Sequence, residues 1–174
     1  MSRAVTIELG EGGVHDARAL RNAFGCFTTG VTVVTTIGED GQRVGLTANS
    51  FTSVSLDPPL ALICVDLKSA SLPALDAAGR FAVNVLHAEH QELARQFVQK
   101  DIDRFTGVET ETWRTGVPIL PGCMANFECE THHSFDAGDH RVYVGRVVKL
   151  RYDPDHEPLV YLQGRFRRVH VDAE

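Results

Sequence analysis

The stretch "TANSFTSVS", residues 47 to 55, crowds five hydroxyl side chains and an asparagine into nine positions. Ser, Thr and Asn donate and accept hydrogen bonds at short range, and an irregular strand end leaves backbone N–H groups free to do the same. Such a run suits a phosphorylated or heteroaromatic ligand held on an uncharged, donor-rich shelf. It suits a polar edge strand or an exposed loop as well. Read with period two, one face carries Thr47, Asn49, Phe51, Ser53 and Ser55, the other Ala48, Ser50, Thr52 and Val54, and neither is cleanly apolar.

Other groupings offer less. Cys123, Cys129, His132 and His133 are metal-ligand types, but their spacing is not that of a recognised zinc site, and adjacent strand histidines point to opposite faces; no metal is expected. "VTIELGEGGVHDARAL" imitates the strand, glycine turn and helix of a dinucleotide fingerprint. Its third glycine would fall at His15, and the chain beyond it is not βαβ. No GxxxxGK[ST], GxSxG or HExxH occurs, so P-loop, α/β-hydrolase and zinc-protease readings have no warrant.

The elements that must position the hydroxyl run are mostly strands. After an N-terminal lead over 1–15, Asp16 to Phe27 places Leu20, Ala23, Phe24 and Phe27 at helical spacing. "GVTVVTTI", the turn "GEDG" and "RVGLTA" read as a hairpin, with the hydroxyl run continuing from its second strand. Past Asp57-Pro58-Pro59, "LALICV" reads as a strand buried on both faces, delivering "DLKSAS" at its end. A helix over Leu72 to Ala78 stops at Gly79 before the strand "RFAVNVL".

Glu89 to Gln99 is a second amphipathic helix with Leu93, Ala94, Phe97 and Val98 inward, followed by the polar loop "KDIDRFTGVE". "MANFECETHHSF", a turn at "DAGD" and "HRVYVGRVVKLRY" form another hairpin, and "PLVYLQGRF" is a last strand. Hairpins outnumber helical crossovers, which favours a closed antiparallel barrel over a doubly wound sheet, in one domain over residues 16–170.

Composition narrows the class further. The 174 residues are 43% hydrophobic and 23% charged, as expected of a globular chain. Seventeen basic against 23 acidic residues give a net charge of −6, the wrong sign for general binding to nucleic acid. The longest apolar run, Leu60 to Val65, is far too short for a membrane helix, and the polar N-terminus has no signal-peptide core, so a cytoplasmic location is expected. Four cysteines without a CxxC pair read as reduced, mostly buried thiols.

"TTGVTVVTT", "GLTANSFTSVSLDPPLALICV", "GRFAVNVL", "RFTGV", "VPILPGCMANFEC" and "GDHRVYVGRV" occur in this order. Over roughly residues 20 to 168 the chain resembles the flavin reductase family, the NAD(P)H-dependent partners of two-component flavin monooxygenases. The resemblance implies a mainly β, FMN-binding split barrel with a few short helices. It also implies a homodimer that binds FMN or FAD near the subunit interface and takes hydride from NADH or NADPH.

Carried over residue by residue, it places Thr47, Ala48, Asn49, Ser50, Ser53, Val54 and Ser55 along the isoalloxazine and part of the ribityl chain. Gly30 and Val31 lie against the flavin from the neighbouring strand. Asp66, Lys68 and Ser69 approach the ribityl phosphate, with Asn84 nearby. His140 would stand beside the nicotinamide in a pocket shaped by Gly138 and Asp139, although Asp136 to Asp139 also reads as a plain hairpin turn. Phe105 either covers the flavin or pins its loop. A flavin-binding electron carrier with no nicotinamide site would use the same hydroxyl run and be indifferent to His140. An enzyme of the pyridoxamine-phosphate oxidase type would need a cationic phosphate cluster, for which Arg165, Arg167 and Arg168 are poor candidates.

Overall fold

Every residue of Thr32–Ile37 is β-branched, and in the computed structural model, which describes residues 4, 6–8 and 17–169, this segment is a central strand. The order of elements is α1 (Ala17–Phe24), β1 (Thr29–Gly30), β2 (Thr32–Ile37), β3 (Arg43–Ala48), β4 (Thr52–Leu56), β5 (Pro59–Asp66), α2 (Leu72–Ala78) and β6 (Arg80–Val85). There follow a 3₁₀ turn (Ala88–His90), α3 (Gln91–Gln96), β7 (Glu111–Thr112), β8 (Pro118–Ile119), β9 (Ala125–Ala137), β10 (His140–Tyr152), β11 (Val160–Leu162) and β12 (Arg165–Arg167). The expected lead over 1–15 lies mostly outside the described residues, as does Asp16.

Seven strands form an antiparallel sheet in the order β3-β2-β6-β9-β10-β5-β4. β3 and β4 follow each other in the chain yet occupy opposite edges. Laid flat, those edges would stand about 29 Å apart. The link from Ala48 to Thr52 reaches about 14 Å at full extension. The sheet therefore curls until its edges meet, and the hydroxyl run is the seam. Ser50 fastens it: its Oγ accepts from the Cys64 N–H and donates to the Cys64 carbonyl, both at 2.9 Å.

The barrel interior is filled by Val34, Ile63, Val65, Phe81, Val83, Cys129 and Tyr143, with Leu75 of α2 packed into the same cluster. α2 ends where the sequence indicates. Gly79 takes a left-handed φ of 60° and its N–H bonds the Leu75 carbonyl at 3.3 Å. On the outer face of β2 a second core joins Val31, Val33, Leu86, Ala94, Phe97, Phe105, Leu120 and Leu159. A Cβ on Gly45 would lie 2.5 Å from the Phe97 ring, so only glycine lets that ring lie on β3.

Several expectations need correction. "LALICV" is not buried on both faces: Ala61, Ile63 and Val65 are buried while Leu60, Leu62 and Cys64 are half-covered, because the barrel has one interior. The second helix is a 3₁₀ turn plus α3 and ends at Gln96, leaving Val98 62% exposed. "PLVYLQGRF" is two strands around a turn at Gln163 and Gly164, and the first of them pairs with β1 to make a separate three-stranded sheet. Gly164 has φ 76° and Gln163 φ 51°, a turn signal that the apolar run around it obscures. α1 buries none of its residues, and Phe24 and Phe27 are 69% and 77% exposed.

Candidate functional site

β5 organises the site because its C-terminal end is flanked on both sides by the segments singled out above. On one side Ser50 is bonded to Cys64; on the other, Val142 of β10 is paired with Cys64 and His140 with Asp66. The hydroxyl run and the β9–β10 hairpin tip thus stand about two strand spacings, roughly 10 Å, apart at one end of the barrel.

The gap between them is floored by the turn after β5. Asp66 shapes it: its Oδ1 accepts from the Lys68 N–H at 2.7 Å and its carbonyl from the Ser69 N–H at 2.8 Å. The Leu67 N–H donates to the Asp139 carbonyl at 2.9 Å, fastening this turn to the hairpin tip. Gly138, with φ 63°, and Asp139 are the two turn residues, since His140 already pairs with Ala137. The reading of Asp136 to Asp139 as turn is therefore narrowed to its last two residues.

His140 Nδ1 lies 2.7 Å from Asp139 Oδ1. The imidazole, with Lys68 as a lesser contributor, holds the Asp139 carboxyl below the usual carboxylate range. An ionised carboxylate only accepts, which assigns the proton to Nδ1. Nε2 has no hydrogen-bond partner among the described residues, and the side chain is 42% exposed.

The rest of the hydroxyl run divides by role. Thr47 is committed to the fold, its Oγ1 donating to the Ala94 carbonyl at 2.7 Å. Ala48 packs against the barrel core, and Ser50 is the seam bond. Asn49 is exposed, with its Nδ2 donating to Thr29 Oγ1 at 3.2 Å beside Gly30. Ser53, Val54 and Ser55 run down β4, away from His140: Ser53 pairs with Ala61 and Ser55 with Leu60, which bulges Val54 out of register. β4 is an edge strand, and among the described residues the Ser53 and Ser55 hydroxyls make no hydrogen bond. An uncharged, donor-rich ledge beside a turn that offers the Lys68 ammonium is a donor set that fits a flavin ring and its phosphate.

Two assigned residues do not reach that ledge. Asn84 is fully buried: its amide donates to the Val33 carbonyl and Thr35 Oγ1, and its Oδ1 accepts from Leu120 N–H and Asn126 Nδ2. With every group partnered inside the core, Asn84 is removed from the phosphate side. Val31 is 2% exposed and packs in the outer core, so only its backbone and Gly30 stand near the ledge. Phe105 is also core, 5.0 Å from Phe97 ring to ring; it pins its loop.

Sequence reasoning missed a groove of about 1010 Å³ beside Asn49 and Thr29, walled by Phe24 and Phe27 on one side and Tyr161 and Gly164 on the other. The signal was the apolar face of α1, of which Phe24 is left 69% exposed among the described residues. Cys129 and Cys123 are buried thiols whose pKa burial raises to about 12, and no group of three or more His, Cys, Asp or Glu able to hold a metal occurs among the described residues. Nor is any described helix long and apolar enough to cross a membrane.

Residues 24–170 match the family model described as flavin reductase like domain. A probable flavin reductase of Rhizobium meliloti is 48% identical over 135 residues, 78% of this chain, which spans only 43% of that protein's length. The reductase subunit of a flavin-dependent monooxygenase from Rhodococcus jostii is 39% identical, with 90% of this chain and 80% of that one aligned. Among solved structures, an NADH:FAD oxidoreductase of Streptomyces globisporus in complex with NAD and FAD fragments superimposes with a TM-score of 0.86. It is 42% identical, over 91% of this chain and 96% of that one.

Proposed function

This chain belongs to the flavin reductase like domain family, and from that premise we propose that it reduces FMN or FAD with NAD(P)H and hands the reduced flavin to a separate monooxygenase. The observation that carries the reading is the convergence at one barrel end of the hydroxyl run, the Asp66–Ser69 turn and the Gly138–His140 tip. The relatives named above are reductases of this kind, one of them a monooxygenase subunit.

A bound flavin would supply the hydride-accepting chemistry and a bound nicotinamide the hydride, so the bond-making would belong to the cofactors. The protein's work is orientation and electrostatics. Asn49, Ser53 and Ser55 present neutral donors and acceptors along the ring, while the Lys68 ammonium and the Ser69 hydroxyl stand at the phosphate end. Asp139 holds the His140 ring through Nδ1, which leaves Nε2 for the nicotinamide side. No protein nucleophile is required.

The active unit is a homodimer of single split-barrel domains spanning residues 16–170, with flavin near the subunit interface. In support, large apolar side chains stand uncovered, including Phe24, Phe27 and Leu56, the last 95% exposed. Light scattering behind a sizing column tests this, and a monomer at micromolar concentration would overturn it. Four free cysteines suit a reducing cytoplasm; cell fractionation checks the placement.

The deciding experiment is anaerobic stopped-flow absorbance, with FMN or FAD and NADH or NADPH in each pairing. Protein-dependent bleaching of the oxidised flavin band establishes the reductase and its preferred pair. Tight flavin binding without bleaching by either nicotinamide would instead make the chain an electron carrier.

A further inference from the structure

β6 begins at Arg80 opposite Glu130, so the outer part of β9, from Thr131 to Ala137, has β10 on one side and no described strand of the large sheet on the other. The last bond on the open side runs from the Thr131 N–H to the Gly79 carbonyl, 2.9 Å. Past Gly79 the neighbouring chain is α2. β5 backs β10 as far as His140, but beyond Thr131 the β9 side of this hairpin has no strand to hold it, and the hairpin carries Asp139 and His140.

One residue of α2 makes up the support. Asp76 Oδ1 accepts from the Tyr143 hydroxyl at 2.5 Å, and its Oδ2 accepts from the Arg141 guanidinium at 2.6 Å. The same guanidinium donates through Nε to Asp136 of β9 at 2.7 Å. Arg141 and Tyr143 are two apart on β10 and share the face opposite His140. A single carboxylate therefore holds β10 at two points from behind the imidazole, and Arg141 carries that hold on to Asp136 of β9. Arg141 is 27% exposed and Asp76 35%, so the pair is partly withdrawn from water and its charge-assisted bonds are stronger than those of an open surface pair. Burial first, and the bond to Asp76 second, push the Tyr143 hydroxyl pKa up, which keeps it a donor.

We propose that Asp76 is a positioning residue for hydride transfer, holding β10 so that the His140 imidazole keeps its place at the nicotinamide pocket. This rests on the reading of His140 given above. A carboxylate is the group this place requires, because two donors, one of them cationic, converge on it, and an amide would set an NH₂ against one of them.

The test is anaerobic single-turnover flavin reduction by NADH in the parent, Asp76→Asn, Asp76→Glu, His140→Ala and the Asp76→Asn/His140→Ala double variant, with flavin Kd by fluorescence titration. Asp76→Asn is expected to slow hydride transfer roughly tenfold with flavin Kd within about twofold, Asp76→Glu to recover part of the loss, and the double variant to lose nothing beyond His140→Ala. Parental rates in Asp76→Asn would overturn the proposal. So would a loss of equal size in both backgrounds, since a purely structural role acts whether or not the imidazole is present. Should Asp76→Asn fail to fold, Arg141→Gln carries the same comparison. A His140→Ala variant that reduces flavin at the parental rate refutes the underlying reading itself, an outcome distinct from a slow His140→Ala beside a fast Asp76→Asn.

Discussion

His140 faces Asp66 across the β5–β10 ladder, and one residue further on the Leu67 N–H bonds the Asp139 carbonyl at 2.9 Å. Segments more than 70 residues apart in the chain are thereby locked into one wall, with the imidazole at its rim and the Lys68 turn at its foot.

Removing that imidazole separates the two cofactor sites. His140→Ala is expected to slow flavin reduction about 10- to 100-fold, as loss of a positioning group does, while flavin affinity stays near the parental value. Stopped-flow rates set beside fluorescence titrations check it. Unchanged turnover would return His140 to the status of a turn residue.

Two serines three residues apart should fail differently. Ser50→Ala strips both partners from the Cys64 backbone at the seam and is expected to cost about 1–3 kcal/mol of stability. Ser53→Ala leaves the ladder intact and is expected to weaken flavin binding several-fold without moving the denaturation midpoint. Urea titrations and flavin titrations on both variants separate seam from ledge; a Ser53→Ala variant binding as the parent does would make the ledge structural.

Asn84 belongs with the seam rather than the ledge. Asn84→Ala leaves the Leu120 N–H, the Asn126 amide and the Val33 carbonyl without their buried partner, and a loss of about 2–4 kcal/mol is expected. Flavin affinity, measured where the variant is still folded, should not change.

Acid sensitivity is expected from a stack of three histidines. The His87 ring lies 3.6 Å from His90 and 4.6 Å from His156, centroid to centroid, and His90 Nδ1 is buried without a partner. Burial, followed by the neighbouring rings of His87 and His156, pushes the His90 pKa down to about 4. The folded state therefore favours the neutral ring. Its contribution is complete above the unfolded value near 6.5 and is lost as pH falls from there toward 4. Discounted for a ring only partly withdrawn from water, the loss is on the order of 1–2 kcal/mol. Thermal melts between about pH 7.5 and 4.5 should show it, and His90→Leu should flatten the profile; a variant as acid-sensitive as the parent would place the effect elsewhere.

The sequence was legible where a local rule decides. Turn chemistry at Gly138, the glycine stop at Gly79 and the β-branched run of β2 each fix their own neighbourhood, because φ/ψ preference and side-chain branching act over a few residues. The ordered motifs likewise carried the family, and with it the split barrel and the cofactors. Periodicity misled at "LALICV" and "PLVYLQGRF", where an apolar run looks the same whether one face or both is covered, or whether a turn interrupts it.

What "TANSFTSVS" does depended on closure. Its composition marked it as unable to be an ordinary amphipathic strand, which is a local property. That Ser50 sews the barrel, Ser53 lines an edge and Asn84 is withdrawn into the core follows from which strands become neighbours, and neighbours are chosen by long-range burial and register. The same holds for Asp76 and Arg141. Sixty-five residues separate them in the chain, and only the packing of α2 against β2 and β6 of the barrel brings them together as a pair.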